Sequence, residues 1–229
     1  AVELWPSFTN SWYYVFRAAY SQQKYEAAIE ALETHWKLDP EALVVALGGQ
    51  RDLNLPIVEY LVGWCADPSK HADAALNDQA ALLSQMLTRG APDEARYWNN
   101  RRLFLRDQGD QMRWLDRDTD PALLQPLWEA AHAAYAKTLE LEPDNPNYLN
   151  DTAVMLHYYL KRDYASALAL YERAAKCAEE QLARKDLRPD ERQVIQIAKR
   201  DSNNNIPKVK RLMDKLARGE KLGPEDEDQ

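Results

Sequence analysis

The side chains of this chain best suited to holding a metal or carrying nucleophilic chemistry are four histidines, His35, His71, His132 and His157, and two cysteines, Cys65 and Cys177. Their spacing supports neither role. The histidines are dispersed over helical stretches, and none forms a His-Glu-x-x-His pair or stands at zinc-ligand distance from a cysteine. The cysteines are far apart and form no Cys-x-x-Cys, which predicts buried free thiols. No Gly-x-Ser-x-Gly and no phosphate-cradling glycine loop occurs. Asp116, Asp118 and Asp120 in LDRDTDP place carboxylates at alternate positions, as a hard cation needs. Pro121 stands where the turn glycine belongs, however, and Leu127 where the closing glutamate belongs. Asp120 is therefore expected to be a helix N-cap ahead of Pro121. Asn150-Asp151-Thr152 is a formal glycosylation acceptor at a predicted helix start. The chain reads as non-enzymatic, with no cofactor and no metal.

The surrounding elements read as helices. Only 7 of the 229 residues are glycine, too few for a turn-rich β fold, and the good helix formers Ala, Leu, Glu, Lys, Gln and Arg dominate. The fold class is all-α, in one domain or two small ones. The net charge of −8 argues against nucleic acid as a partner, because neutralising phosphates takes a basic surface. One basic stretch, Pro207 to Lys221, runs into Glu225, Asp226, Glu227 and Asp228; it is expected to be a solvated helix face followed by a disordered acidic tail. No apolar run approaches the roughly 18 residues of a membrane span. The compartment is left open: cytoplasmic, or exported after loss of a signal segment.

Two neighbouring stretches define the repeating unit. In SWYYVFRAAYS, Trp12, Val15, Phe16 and Ala19 fall at helical spacing, and in YEAAIEALETHWKL so do Ala28, Ile29, Leu32 and Trp36. The short link between them forces a helical hairpin. Ala27, Ala28 and Ala31 permit close approach, and Asp39-Pro40 ends the second helix because a residue before proline is pushed out of the α region. This pattern resembles the tetratricopeptide repeat (TPR), a helix–turn–helix unit of about 34 residues. Trp12 takes the opening aromatic slot, Val15 the next large slot, Tyr25 the start of the second helix, Ala28 the small slot and Pro40 the terminator. Phe16 departs from the small residue usual there.

The pattern recurs. Val154, Tyr158, Tyr164, Ala167, Tyr171 and Ala174 match a further repeat, and Trp128, Ala131, Tyr135, Leu141 and Pro143 match a second helix with its terminator. Trp98, Leu105, Gly109 and Asp110 match a first helix, although Arg101 and Arg102 stand in its apolar and small slots. An insertion near 111–126 separates the last two pieces. The segment 41–90 is read as a divergent second repeat containing LPIVEYLVGWCA and HADAALNDQAALLSQMLTRG. About four hairpins are thus expected over 1–181, then C-terminal capping helices over 182–219, separated or kinked at Pro207, and the acidic tail over 220–229. Val194, Ile197, Leu212 and Leu216 are expected to cover the end of the stack.

The resemblance implies a right-handed superhelix whose first helices line a concave face. By register that face holds Asn10, Tyr13, Arg17 and Tyr20, then Arg96, Asn99, Leu103 and Arg106, then Leu149, Thr152, Leu156 and Tyr159. Arginine offers a planar fork for carboxylates and tyrosine offers area at low entropic cost. The expected function is a non-catalytic scaffold binding a protein or peptide partner, with acidic or C-terminal carboxylate character. The alternatives are a self-associating structural protein, a homo-oligomer, or the regulatory module of an enzyme or larger assembly.

Overall fold

The computed structural model describes residues 9–67, 74–116, 118–223 and 226. The helices are α1 (Thr9–Ser21), α2 (Tyr25–Leu38), α3 (Pro40–Gly49), α4 (Arg51–Cys65), α5 (Ala74–Gly90), α6 (Ala95–Leu115), α7 (Pro121–Leu141), α8 (Pro146–Val154), α9 (Tyr164–Leu182) and α10 (Pro189–Ala217). A five-residue π-turn, Met155–Tyr159, continues α8. No strand occurs among the described residues, so the all-α class holds. His71 and half of the acidic tail lie outside them.

The chain forms two compact units, one up to Gln111 and one from Met112. The insertion expected near 111–126 is largely helical: its first residues prolong α6 to Leu115 and its last ones open α7 at Pro121. The two helices assigned to the third hairpin, α6 and α7, therefore centre on different units.

Proline sets the helix starts. Asp39 lets the end of α2 and the start of α3 share one residue. Its N–H donates to the His35 carbonyl at 2.8 Å, while its carboxylate accepts from the Ala42 N–H at 2.9 Å ahead of Pro40. Asp120 caps α7 in the same way, accepting from the Ala122 N–H at 2.9 Å, and Asn145 caps α8 through the N–H groups of Asn147 and Tyr148. In each case proline supplies the first-turn backbone angle without wasting a donor. The α1–α2 link turns on Gln23, a non-glycine residue at φ 59°.

In unit one α1 packs on α2 and α4 on α5. Phe16, Ile29, Leu32, Leu43, Leu47, Leu61, Leu83 and Met86 are fully buried in one core. Gly90 stands where α5 passes α4 at close range; a Cβ there would meet the Leu55 side chain at 3.0 Å. In unit two α9 packs on both α8 and α10. Tyr135, Ala167, Tyr171 and Ala174, all assigned to repeat slots, are fully buried.

The C-terminal helices differ from expectation. Pro207 does not separate two helices; it lies inside the single helix α10. The face that packs is also not the one predicted. Of the four residues expected to cover the end, Leu212 is buried, but Val194, Ile197 and Leu216 are 48%, 40% and 46% exposed. The buried stripe is Ile195, Ala198, Ser202, Asn205, Val209 and Leu212. Its spacing is helical, but two polar residues hold its middle, so a search for large apolar residues selects a neighbouring face.

Candidate functional site: the α1–α4 face and the π-turn

In unit one the side chains of α1 and α4 meet through a buried amide. Asn54, wholly buried on α4, donates to the Ala46 carbonyl at 3.0 Å. Its side-chain oxygen accepts from the Tyr13 hydroxyl at 3.0 Å and from the Arg17 guanidinium at 2.5 Å. Further along α1, the Tyr20 ring meets Tyr60 of α4 nearly edge-on at 5.8 Å. Tyr25 stands 5.9 Å from Tyr20, 5.3 Å from Tyr60 and 5.8 Å from Trp64, in the range where ring pairs attract. A hydrogen bond with Tyr60 leads the effects that push the Tyr25 phenol up. Tyr20, Tyr25 and Trp64 pack on the core from outside it, and Tyr60 keeps 45% of its surface exposed.

Arg96, on α6, pairs with Glu59 at 3.3 Å and lies over the Tyr97 ring at 4.9 Å. The same guanidinium also pairs with Glu94 at 3.5 Å and donates to the Tyr97 hydroxyl at 3.2 Å. Asn10 is exposed at the start of α1. Asn99 accepts from the Arg102 guanidinium at 2.8 Å, and Arg106 donates to Asp107 at 2.8 Å. Tyr13, Arg17 and Tyr20 thus come together on one face with Asn54 and Tyr60. Asn54, Tyr60 and Trp64 were missed. The signal for the last two was their i, i+4 spacing in LPIVEYLVGWCA, which puts both rings on one helix side.

In unit two the expected first-helix residues are largely internal. Leu149, Thr152 and Leu156 are buried, and the Thr152 hydroxyl donates to the Tyr148 carbonyl at 2.8 Å. Tyr159 stands edge-on to Trp128 at 5.6 Å. The π-turn carries polar chemistry instead. Its wide turn is closed by the Leu160 N–H on the Met155 carbonyl at 2.9 Å, and Lys161 and Asp163 just beyond sit at φ 49° and 53°. The Tyr158 hydroxyl donates to the Asn205 side chain at 2.8 Å, with the Lys208 ammonium at 3.5 Å. The Ser202 hydroxyl donates to the Asn150 side chain at 3.0 Å. Asn150, the formal glycosylation acceptor, is thus buried and bonded in the folded chain.

His157 lies 4.0 Å from the Tyr158 ring, with Nδ1 3.4 Å from the Tyr171 hydroxyl. Burial, then the Lys208 charge, lowers its pKa to about 4. Burial likewise pushes the Tyr171 phenol far up and the Cys65 thiol up to about 12. A ring neutral down to that pH and a thiol protonated throughout the physiological range are poorly matched to proton transfer or nucleophilic attack at neutral pH. Among the described residues no group of three or more His, Cys, Asp or Glu side chains could hold a metal ion. Asp116 and Asp120 instead accept from the backbone N–H groups of Asp118 and Ala122. No helix of the described residues is long and apolar enough to cross a membrane.

No protein-family model matches the chain, and no curated protein matches it.

Proposed function

We propose that the chain is a non-catalytic scaffold of the tetratricopeptide kind, binding a protein or peptide partner on the face shared by α1 and α4. The observation that carries this reading is the cluster of Tyr20, Tyr25, Tyr60 and Trp64, held by the Tyr13–Arg17–Asn54 contacts. Four rings packed against one another give a contact surface that loses little freedom on binding. Arg96 on α6 has a side chain 55% exposed and is held by Glu59 and Glu94; an acidic side chain or a terminal carboxylate of the partner would exchange with them on its guanidinium. The superhelical stacking implied by the resemblance belongs to the same proposal.

The test is affinity capture from the source cells with the wild type and with a Tyr60→Ala, Arg96→Ala variant, both checked by circular dichroism. A polypeptide held by the wild type and lost from the variant supports the reading; equal retention by both contradicts it.

A second reading, self-association, is favoured by three exposed side chains. Trp114, Leu115 and Leu123 are 82%, 64% and 59% exposed, an unusual outlay of large apolar side chains in ten residues of chain. Light scattering that reports a monomer at all concentrations removes this reading.

A further inference from the structure

The basic stretch of α10 meets Asp226, from the acidic run after it, in the folded chain. The Asp226 side chain is only 3% exposed. Its carboxylate takes the Lys215 ammonium at 2.6 Å on one oxygen and the Gly223 N–H at 3.0 Å on the other. Leu222 and Asp226 line one side of a cavity of about 140 Å³; His157, Tyr158, Lys161, Tyr164 and Leu212 line the rest. Lys208 reaches the Tyr158 hydroxyl at its edge, and the Arg211 charge acts on Asp226. Lys161, Lys208, Arg211 and Lys215 thus face this region, against Glu220 and the tail's own carboxylate. A carboxylate buried among ammonium groups, with an aliphatic side chain anchored beside aromatic rings, is how an acidic peptide is recognised. The rigid wall is the π-turn, a local geometry that recurs at functional sites.

We propose that the π-turn and the basic half of α10 form a binding site for an acidic peptide segment of a partner protein. Its recognition element is an apolar side chain four residues before a carboxylate, and Leu222 and Asp226 occupy the site in cis. The proposal stands on these contacts alone and does not depend on the α1–α4 face. A tethered occupant acts at an effective concentration in the millimolar range for a short flexible connection, so the site is masked until a partner outcompetes it. The sequence encodes both halves side by side, a basic run and then an acidic one.

The experiment uses the full chain and a fluorescein-labelled peptide with the sequence of residues 220–229, EKLGPEDEDQ, read by fluorescence anisotropy. The double variant Leu222→Ala, Asp226→Asn, whose own tail no longer competes, is expected to bind the peptide about tenfold more tightly than the wild type. Adding Lys215→Glu to that variant removes the binding, while circular dichroism stays unchanged. A scrambled peptide of the same composition binds at least tenfold more weakly. The proposal is overturned if the double variant binds no more tightly than the wild type, if the scrambled peptide binds equally, or if Lys215→Glu leaves binding intact. A wild-type dimer in light scattering that Asp226→Asn dissolves would assign the site to the tail of a second copy and overturn the cis arrangement.

Discussion

Individual buried polar residues set much of this protein's conditional behaviour. Neither ring nitrogen of His35, fully buried on α2, has a hydrogen-bond partner, and burial lowers its pKa against the opposing pull of Asp39. A buried polar group without a partner costs about 1–3 kcal/mol. His35→Leu is therefore expected to raise the stability read from a urea titration by an amount of that order; a loss of stability would mean that the ring packs better than leucine can. His157 carries a pH dependence. Its folded pKa of about 4 lies below the ordinary 6.5, so the unfolded chain takes up the proton first. The stability this group contributes is whole above pH 6.5 and is lost as pH falls from there towards about 4. The melting temperature should fall between pH 7 and pH 5, and less so in His157→Gln; identical falls in both proteins would remove His157 as the cause. Asn54 belongs to the same class. Asn54→Ala takes the shared acceptor from the half-buried Tyr13 and Arg17 and is expected to cost about 1 kcal/mol, read as a lower urea midpoint; an unchanged midpoint would mean that water replaces the amide.

At the scale of elements, one cap was legible in the sequence: Asp120 ahead of Pro121 opens α7, and α2 spans Tyr25–Leu38 as its periodicity implied. Asp39-Pro40, read as the end of α2, also opens α3, and the Asn145 cap of α8 was not read. Asp39→Ala should cost about 1 kcal/mol, seen as a lower urea midpoint with unchanged slope. Positive backbone angles were illegible. Gln23, Lys161 and Asp163 adopt them without being glycine, so no residue type announces the turn. Gln23→Gly is expected to be neutral to stabilising, by up to about 1 kcal/mol, because the left-handed conformation penalises any Cβ. The register of α10 was misread for a physical reason: Ser202 and Asn205 sit in the buried stripe because Asn150 and Tyr158 supply their partners from elsewhere in the chain. No local pattern carries that information. For the candidate site, α1 supplied its half through Tyr13, Arg17 and Tyr20. The α4 half was hidden because Asn54 falls just before the predicted helical stretch 55–66 and gives no sign of which neighbour it bonds.

For the whole molecule, the two units give the functional account separate places to succeed or fail. Unit one offers a packed aromatic face. Unit two offers a polar π-turn with the chain's own Asp226 held against it. The central claim is that the α1–α4 face contacts a partner polypeptide. Its most direct test is site-specific photo-crosslinking in the source cells, with a photoreactive phenylalanine at Tyr60 and, as control, at Glu30, exposed on α2. The account predicts a covalent adduct heavier by a polypeptide from position 60 and none from position 30. No adduct from position 60, or the same adduct from both, would contradict it.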